Sequence, residues 1–280
     1  MDNGRLRILG VNAHPHDFTH YAGTLGMHVS RGDEVTVVSV TSGANTHNEA
    51  LRDELLKPPE ERDPKITGQT REEYVKIKAE EMRMACGLFG ITDVRIFDFP
   101  QPFLMQSNPE VVDALRDIIH EVRPDVMITQ SPYLDGPNGR VSGEYDDHLE
   151  TAYASLEARA AAIRVTFGST EPPHNIAATY FPGVYFSQEQ FGFLVDVGEW
   201  FEKRVEAEAM FKSQGHTPEG SRHRISLTLG RTGFSFGLQY AEAFVREKPE
   251  ILPGFVLPGA TLAMAQETSA AKSQRRLGQR

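Results

Sequence analysis

Only one cysteine, Cys86, stands among the 280 residues, which excludes an internal disulfide framework and fits a reducing, cytoplasmic setting. No run approaches the roughly 18 consecutive apolar residues of a membrane-spanning helix, and Met1-Asp2-Asn3-Gly4 lacks the pattern of a secretory signal. Basic residues are in deficit: 29 Lys and Arg against 39 Asp and Glu give a net charge of −10, the wrong sign for binding nucleic acid. No Gly-x-Gly-x-x-Gly follows the first apolar run and no Walker sequence occurs, so a nucleotide is not implied. Gly233-Phe234-Ser235-Phe236-Gly237 has nucleophile-elbow spacing, but the last histidine is His223, so the required acid-then-His order after the serine fails. With 39% hydrophobic and 24% charged residues, disorder and coiled coil are excluded. No internal repeat occurs. Residues 1–260 read as one α/β domain, and 261–280, rich in Ala, Gln, Ser and Arg, as a tail that frays.

The remaining pattern is an alternation of strands and helices. Leu6–Val11 and the β-branched run Glu34–Thr41 predict buried strands, with room for a helix over Phe18–Ser30 between them. Val94–Phe99 and Asp125–Gln130 repeat the strand signal around a helix whose Val111, Val112, Leu115, Ile118, Ile119 and Val122 share one face. Such βαβ units predict a Rossmann-like, mostly parallel sheet flanked by helices, with ligands outside the carboxyl ends of its strands. A helix is expected over Arg71–Cys86, a strand over Ala178–Phe186 and a helix over Asp196–Phe211. Residues 44–70 form either a lid or a surface excursion, and Ser131–Asp147, rich in Gly and Pro, is a loop.

Chemistry-bearing residues gather after two of these strands. His14, His16, Asp17 and His20 follow the first, around Pro15, and Glu144-Tyr145-Asp146-Asp147-His148 follows the fourth. Imidazole and carboxylate brought to one sheet edge suit a borderline cation such as zinc, whereas a loop of surface histidines is the plain alternative. Cys86, among Met82, Met84, Ala85 and Leu88, reads as core, as does Trp200 beside Phe201. His47 falls in the segment that is either lid or excursion, and is either an ordinary surface residue or one that meets substrate.

Ala13-His14-Pro15-His16-Asp17-Phe18 resembles the Ala-His-Pro-Asp-Asp-Glu hallmark of the PIG-L/LmbE-like deacetylases, zinc enzymes that remove acetyl groups from N-acetylglucosamine-bearing compounds. Weaker matches are Lys78-x-x-Glu81 ahead of Gly90, Lys212-Ser213-Gln214, and Tyr240-Ala241-Glu242-Ala243-Phe244. The resemblance implies His14, Asp17 and His148 as ligands of zinc or another divalent metal, Lys78 as a substrate contact, and a small N-acetylated amino sugar as substrate. Assembly into several copies is left open. The acid usually taken as general base is His16 here, and the motif's closing acid is Phe18. His16 is therefore a base, an added ligand or a bystander, with Asp147 orienting His16 or His148 and Tyr145 assisting the oxyanion. The competing functions are a metal-containing carbohydrate-binding protein that does not hydrolyse its ligand, and a metal hydrolase or lyase of another substrate class.

Overall fold

A computed structural model describes residues 4–279 except 134, 137–139, 142–145, 166 and 169, with the side chains of 135, 136, 140 and 141 also outside the described part. Strand β1 (Arg7–Asn12) is central, because its residues carry no charge beyond Arg7 and both of its faces are covered. It pairs in parallel with β2 (Glu34–Ser39) on one side and β4 (Val126–Ile128) on the other. β3 (Asp93–Ile96) extends the sheet beyond β2, and β7 (Ala178–Pro182) extends it beyond β4, both in parallel. Only β9 (Ala241–Arg246) runs against the others: it lies between β7 and β8 (Phe193–Asp196), antiparallel to both, giving the order β3-β2-β1-β4-β7-β9-β8. A two-stranded hairpin, β5 (Asp135–Gly136) with β6 (Arg140–Val141), lies within the predicted 131–147 loop.

Alternation along the strands feeds two cores. Ile8, Val35 and Val37 face helices α1 (Ala22–Ser30), α4 (Arg71–Gly87) and α7 (Phe201–Met210), packing with Leu25, Met82, Cys86 and Ala207. Leu9, Val11, Val38 and Val40 face α5 (Glu110–Val122) and α6 (Asp147–Ile163), packing with Leu115, Ile118, Ala154 and Ala158. Both faces being buried is why β1 and β2 read as near-continuous apolar runs. Gly10 is the exception in β1: a Cβ there would lie 2.8 Å from the Tyr21 hydroxyl, which donates to Asn12 Oδ1 at 2.7 Å and so ties the turn after β1 back to the strand.

Residues 44–70 are not structureless: α2 (Glu49–Leu56) is capped by Asn48 and α3 (Pro64–Thr67) by Asp63. The helix expected over Asp196–Phe211 starts later, at Phe201: Asp196 is the last residue of β8 and accepts from the Gly198 amide, turning the chain through Gly198–Trp200 before α7. Helix α8 (Pro218–Phe234) runs into the Gly-Phe-Ser-Phe-Gly turn, so Ser235 follows a helix and not the strand an elbow needs. Residues expected to fray carry parts of two short helices, α9 (Gly259–Ala265) and α10 (Ser269–Arg276), where Arg275 pairs with Glu267 at 2.8 Å. Among the described residues no helix is long and apolar enough to cross a membrane.

Candidate metal centre

The strand order reverses at β1, whose neighbours β2 and β4 lead in opposite directions, and a crevice outside the carboxyl ends of strands opens at such a point. The Ala13–Phe18 motif is there. After β1 the chain makes a tight 3-10 turn over Asp17–Tyr21, which sends Asp17 to the crevice and Phe18 into the core, edge-on to Phe89 at 6.4 Å between ring centres. That packing explains the missing acid: position 18 has no access to the site.

Asp17 is fully buried and accepts hydrogen bonds from the His14 amide at 2.9 Å and Gln130 Nε2 at 3.0 Å. His14 Nδ1 lies 3.5 Å from Asp17 Oδ2, and His148 Nε2 lies 3.6 Å from the same oxygen. One ligand atom each from His14, Asp17 and His148 fall within 4.8 Å of one another. These are the three residues expected as ligands, contributed by the end of β1 and the first turn of α6. His148 is placed by Asp146, the N-cap of α6, whose Oδ1 accepts from the His148 amide at 2.8 Å and faces its Nδ1 at 2.9 Å. Nε2 is thereby directed at Asp17. His14 Nδ1 and Asp17 Oδ1 are buried without a hydrogen-bond partner. Buried polar atoms are ordinarily satisfied, so two unsatisfied ones in a His-Asp-His set, both lone-pair donors, fit a divalent cation.

Asp147 acts elsewhere than on His16 or His148. Neighbouring residues on a helix point about 100° apart, and Asp147 turns to His14 Nε2 at 2.9 Å, where it also accepts from Gln101 Nε2 at 2.9 Å and the Phe103 amide at 2.5 Å. It therefore fixes the ring of His14 and directs Nδ1 to the cluster. Tyr145 lies outside the described residues.

His16 stacks parallel to His14 with 5.9 Å between ring centres, and its Nε2 is 3.2 Å from Asp17 Oδ1. Gln214 Nε2 lies 3.3 Å from its Nδ1. Burial holds the His16 ring well below the usual imidazole range, against the pull of Asp17 and with the help of His47. Burial likewise opposes ionising Asp17, but His16, His148 and the bond to His14 keep its carboxyl well below the usual range. For His148 burial opposes charging, yet Asp17 and Asp146 outweigh it and lift the ring to about 10; His14 is raised in the same way, by Asp147 and Asp17.

Lys78, expected to contact substrate, is 1% exposed and donates to the His47 carbonyl at 3.1 Å, with Ser213 Oγ at 3.5 Å. Burial lowers its pKa to about 8. It is a strut beneath the site, made possible by Gly43, whose left-handed backbone (φ +70°) leaves a Cβ position 3.2 Å from Lys78 Cε and 3.1 Å from Pro15 Cδ. His47 is brought against His16 and His14, at 4.9 and 5.8 Å between ring centres. Glu81 holds the Lys212–Gln214 turn through the Ser213 amide at 2.8 Å and hydroxyl at 2.5 Å, so two of the weak sequence matches meet at this site. Gln101, Gln130 and Tyr185, whose hydroxyl donates to Gln130 Oε1, are site residues with no sequence signal: each is an isolated polar residue whose role exists only in the folded chain.

Several known proteins resemble this one. The 1D-myo-inositol 2-acetamido-2-deoxy-alpha-D-glucopyranoside deacetylase of Thermomonospora curvata is 26% identical over 190 residues, covering 61% of this chain and 58% of that protein. The protein of the same name from Streptomyces griseus is 27% identical over 197 residues, covering 67% and 58%. The chain thus spans under two thirds of the length of these relatives. Among solved structures, the 4-carboxy-2-hydroxymuconate hydratase of Pseudomonas putida superposes with a TM-score of 0.67 at 18% identity, over 89% of this chain and 99% of that one. The N,N'-diacetylchitobiose deacetylase of Pyrococcus horikoshii gives 0.65 at 21% identity, over 85% and 82%. At such identities the two structures establish a shared fold. The GlcNAc-PI de-N-acetylase (PIG-L) model matches residues 9–159, which contain both halves of the cluster, and the chain belongs to that family.

Proposed function

We propose that this protein is a metal-dependent amide hydrolase that removes the acetyl group from a small acetamido-sugar-like substrate, releasing acetate and an amine. The observation that carries this reading is the convergence of His14, Asp17 and His148, with His14 Nδ1 and Asp17 Oδ1 buried and unsatisfied, in a chain of this family and beside relatives named as acetamido-sugar deacetylases. When bound there, a divalent cation such as zinc supplies a Lewis acid that polarises the amide carbonyl and acidifies water.

The residues around it divide the remaining work. His14, Asp17 and His148 hold the ion, with Asp147 and Asp146 fixing the two rings. His16 handles the proton: burial keeps its ring neutral, and Nε2, 3.2 Å from Asp17 Oδ1, is the atom that accepts from water and returns the proton to the leaving amine. That role requires the Nδ1–H tautomer, with the Gln214 amide turned so that its oxygen accepts from Nδ1. Lys78 positions the backbone at His47, keeping the His47 ring against His16.

Metal content and acetate release from N-acetylated amino sugars test the reading, with and without chelator, in wild type, His14→Ala and His16→Ala. We expect chelator-sensitive turnover, loss of metal in His14→Ala, and retained metal with turnover reduced about 10²- to 10⁴-fold in His16→Ala. A wild type that binds no divalent metal refutes the hydrolase. Undiminished turnover by metal-loaded His16→Ala refutes the proton role alone.

A further inference from the structure

The cavity of about 580 Å³ that His16, Asp17 and His148 line has a second chemical character: Arg204, Arg224 and Arg231 line it too. Arg204, from the middle of α7, is 2% exposed, and its Nε and Nη1 are buried with no hydrogen-bond partner. Its charge neighbours are Glu242, 3.5 Å away, and Glu208, but both carboxylates are already occupied. Glu242 Oε1 accepts from the Gly23 amide at 2.9 Å, and Oε2 accepts from the Thr24 amide at 2.8 Å and hydroxyl at 2.7 Å, closing the start of α1. Arg224, from α8, is half exposed and pairs with Glu208 at 2.9 Å. Three guanidinium groups thus share the cavity with two carboxylates besides Asp17, which belongs to the metal cluster.

A buried guanidinium with unmet N–H groups is costly to leave unpaired, and an oxyanion that can take two parallel N–H bonds is the acceptor that fits it. We propose that this arginine wall recognises an anionic group, carboxylate or phosphate, on the substrate whose acetamide lies at the His14–Asp17–His148 cluster. Ile225, Leu229 and Phe186 line the same cavity, giving the body of that substrate an apolar wall. The inference rests on the hydrolase reading above and narrows its substrate class from neutral to acidic acetamido compounds.

Calorimetric binding to the metal-loaded full chain tests it, using deacetylated product analogues that are not consumed: glucosamine, glucosamine 6-phosphate and muramic acid. We expect at least one of the two acidic ligands to bind about tenfold more tightly than glucosamine, the size of one charge-assisted hydrogen bond, and the ligand that does so distinguishes phosphate from carboxylate. The advantage should vanish in Arg204→Met and shrink in Arg224→Lys, which keeps the positive charge beside Glu208 while removing the forked guanidinium donors. Equal binding of all three ligands by wild type, or an advantage that persists in both variants, overturns the proposal. Acidic preference without acetate release from any N-acetylated form would sink the hydrolase reading and leave the anion site standing.

Discussion

Charging of His148 makes metal binding a proton-releasing event, and the size of the effect follows from the cluster. Without a cation the ring titrates at about 10, because Asp17 and Asp146 outweigh the cost of burying the charge. Coordination requires the neutral ring, so at pH 7 a proton held about 3 pH units below its pKa must leave, which costs about 4 kcal/mol, or about 10³ in apparent affinity. Each displaced proton makes the affinity rise about tenfold per pH unit; His14, also raised, adds to the slope. The sign for folding is the reverse. A pKa raised above the unfolded value stabilises the metal-free chain fully below about pH 6.5, and that contribution is lost as pH rises through about 10. Zinc affinity measured against a competing chelator at several pH values between 6 and 9, with calorimetry in buffers of different ionisation enthalpy, reads the proton count. Asp146→Asn keeps an oxygen facing Nδ1 but removes a charge, so it should flatten the slope. A pH-independent affinity, or an unchanged slope in Asp146→Asn, refutes the electrostatic account of the cluster.

Three further outcomes are expected. Asp147→Ala frees His14 Nε2 and orphans the Phe103 amide, and should weaken metal binding about 10- to 100-fold in the same chelator competition. Gly10→Ala drives a methyl to 2.8 Å from the Tyr21 hydroxyl and should cost about 1–3 kcal/mol in denaturant unfolding; an unchanged midpoint would show that the turn after β1 gives way freely. Phe18→Ala removes a fully buried ring from the core shared with Phe89 and should cost about 3–5 kcal/mol by the same measurement, while a far smaller loss would mean that position 18 does not anchor the motif.

The central strands were legible because burial on both faces writes itself as β-branched runs, so Leu6–Val11 and Glu34–Thr41 lie within a residue or two of β1 and β2. Edge elements carried less. β8 is four residues with one charged end, too short to carry a pattern, and its last residue, Asp196, reads in the sequence as the start of the helix that follows. At the site, His14, Asp17 and His148 were visible as short-range clusters after strand ends, and the structure brings them together. The direction of Asp147 was not, since it depends on the helical phase of α6 relative to β1. The resemblance made Lys78 a substrate contact; only the fold shows the His47 carbonyl above it, and a glycine at 43 that makes the room.

The placing of β9 also constrains when the protein is finished. Ala241–Arg246 leaves the ribosome after its two neighbours, yet inserts between them, so until then β8 has no backbone partner and β7 presents an open edge to any passing chain. Glu242 arrives with that strand, and the amides of Gly23 and Thr24, just downstream of the Ala13–Phe18 motif, wait for it. A nascent chain that already contains the whole family signature therefore still lacks the piece that closes its sheet and braces its first helix, which makes the interval before residue 246 the time of greatest exposure to aggregation.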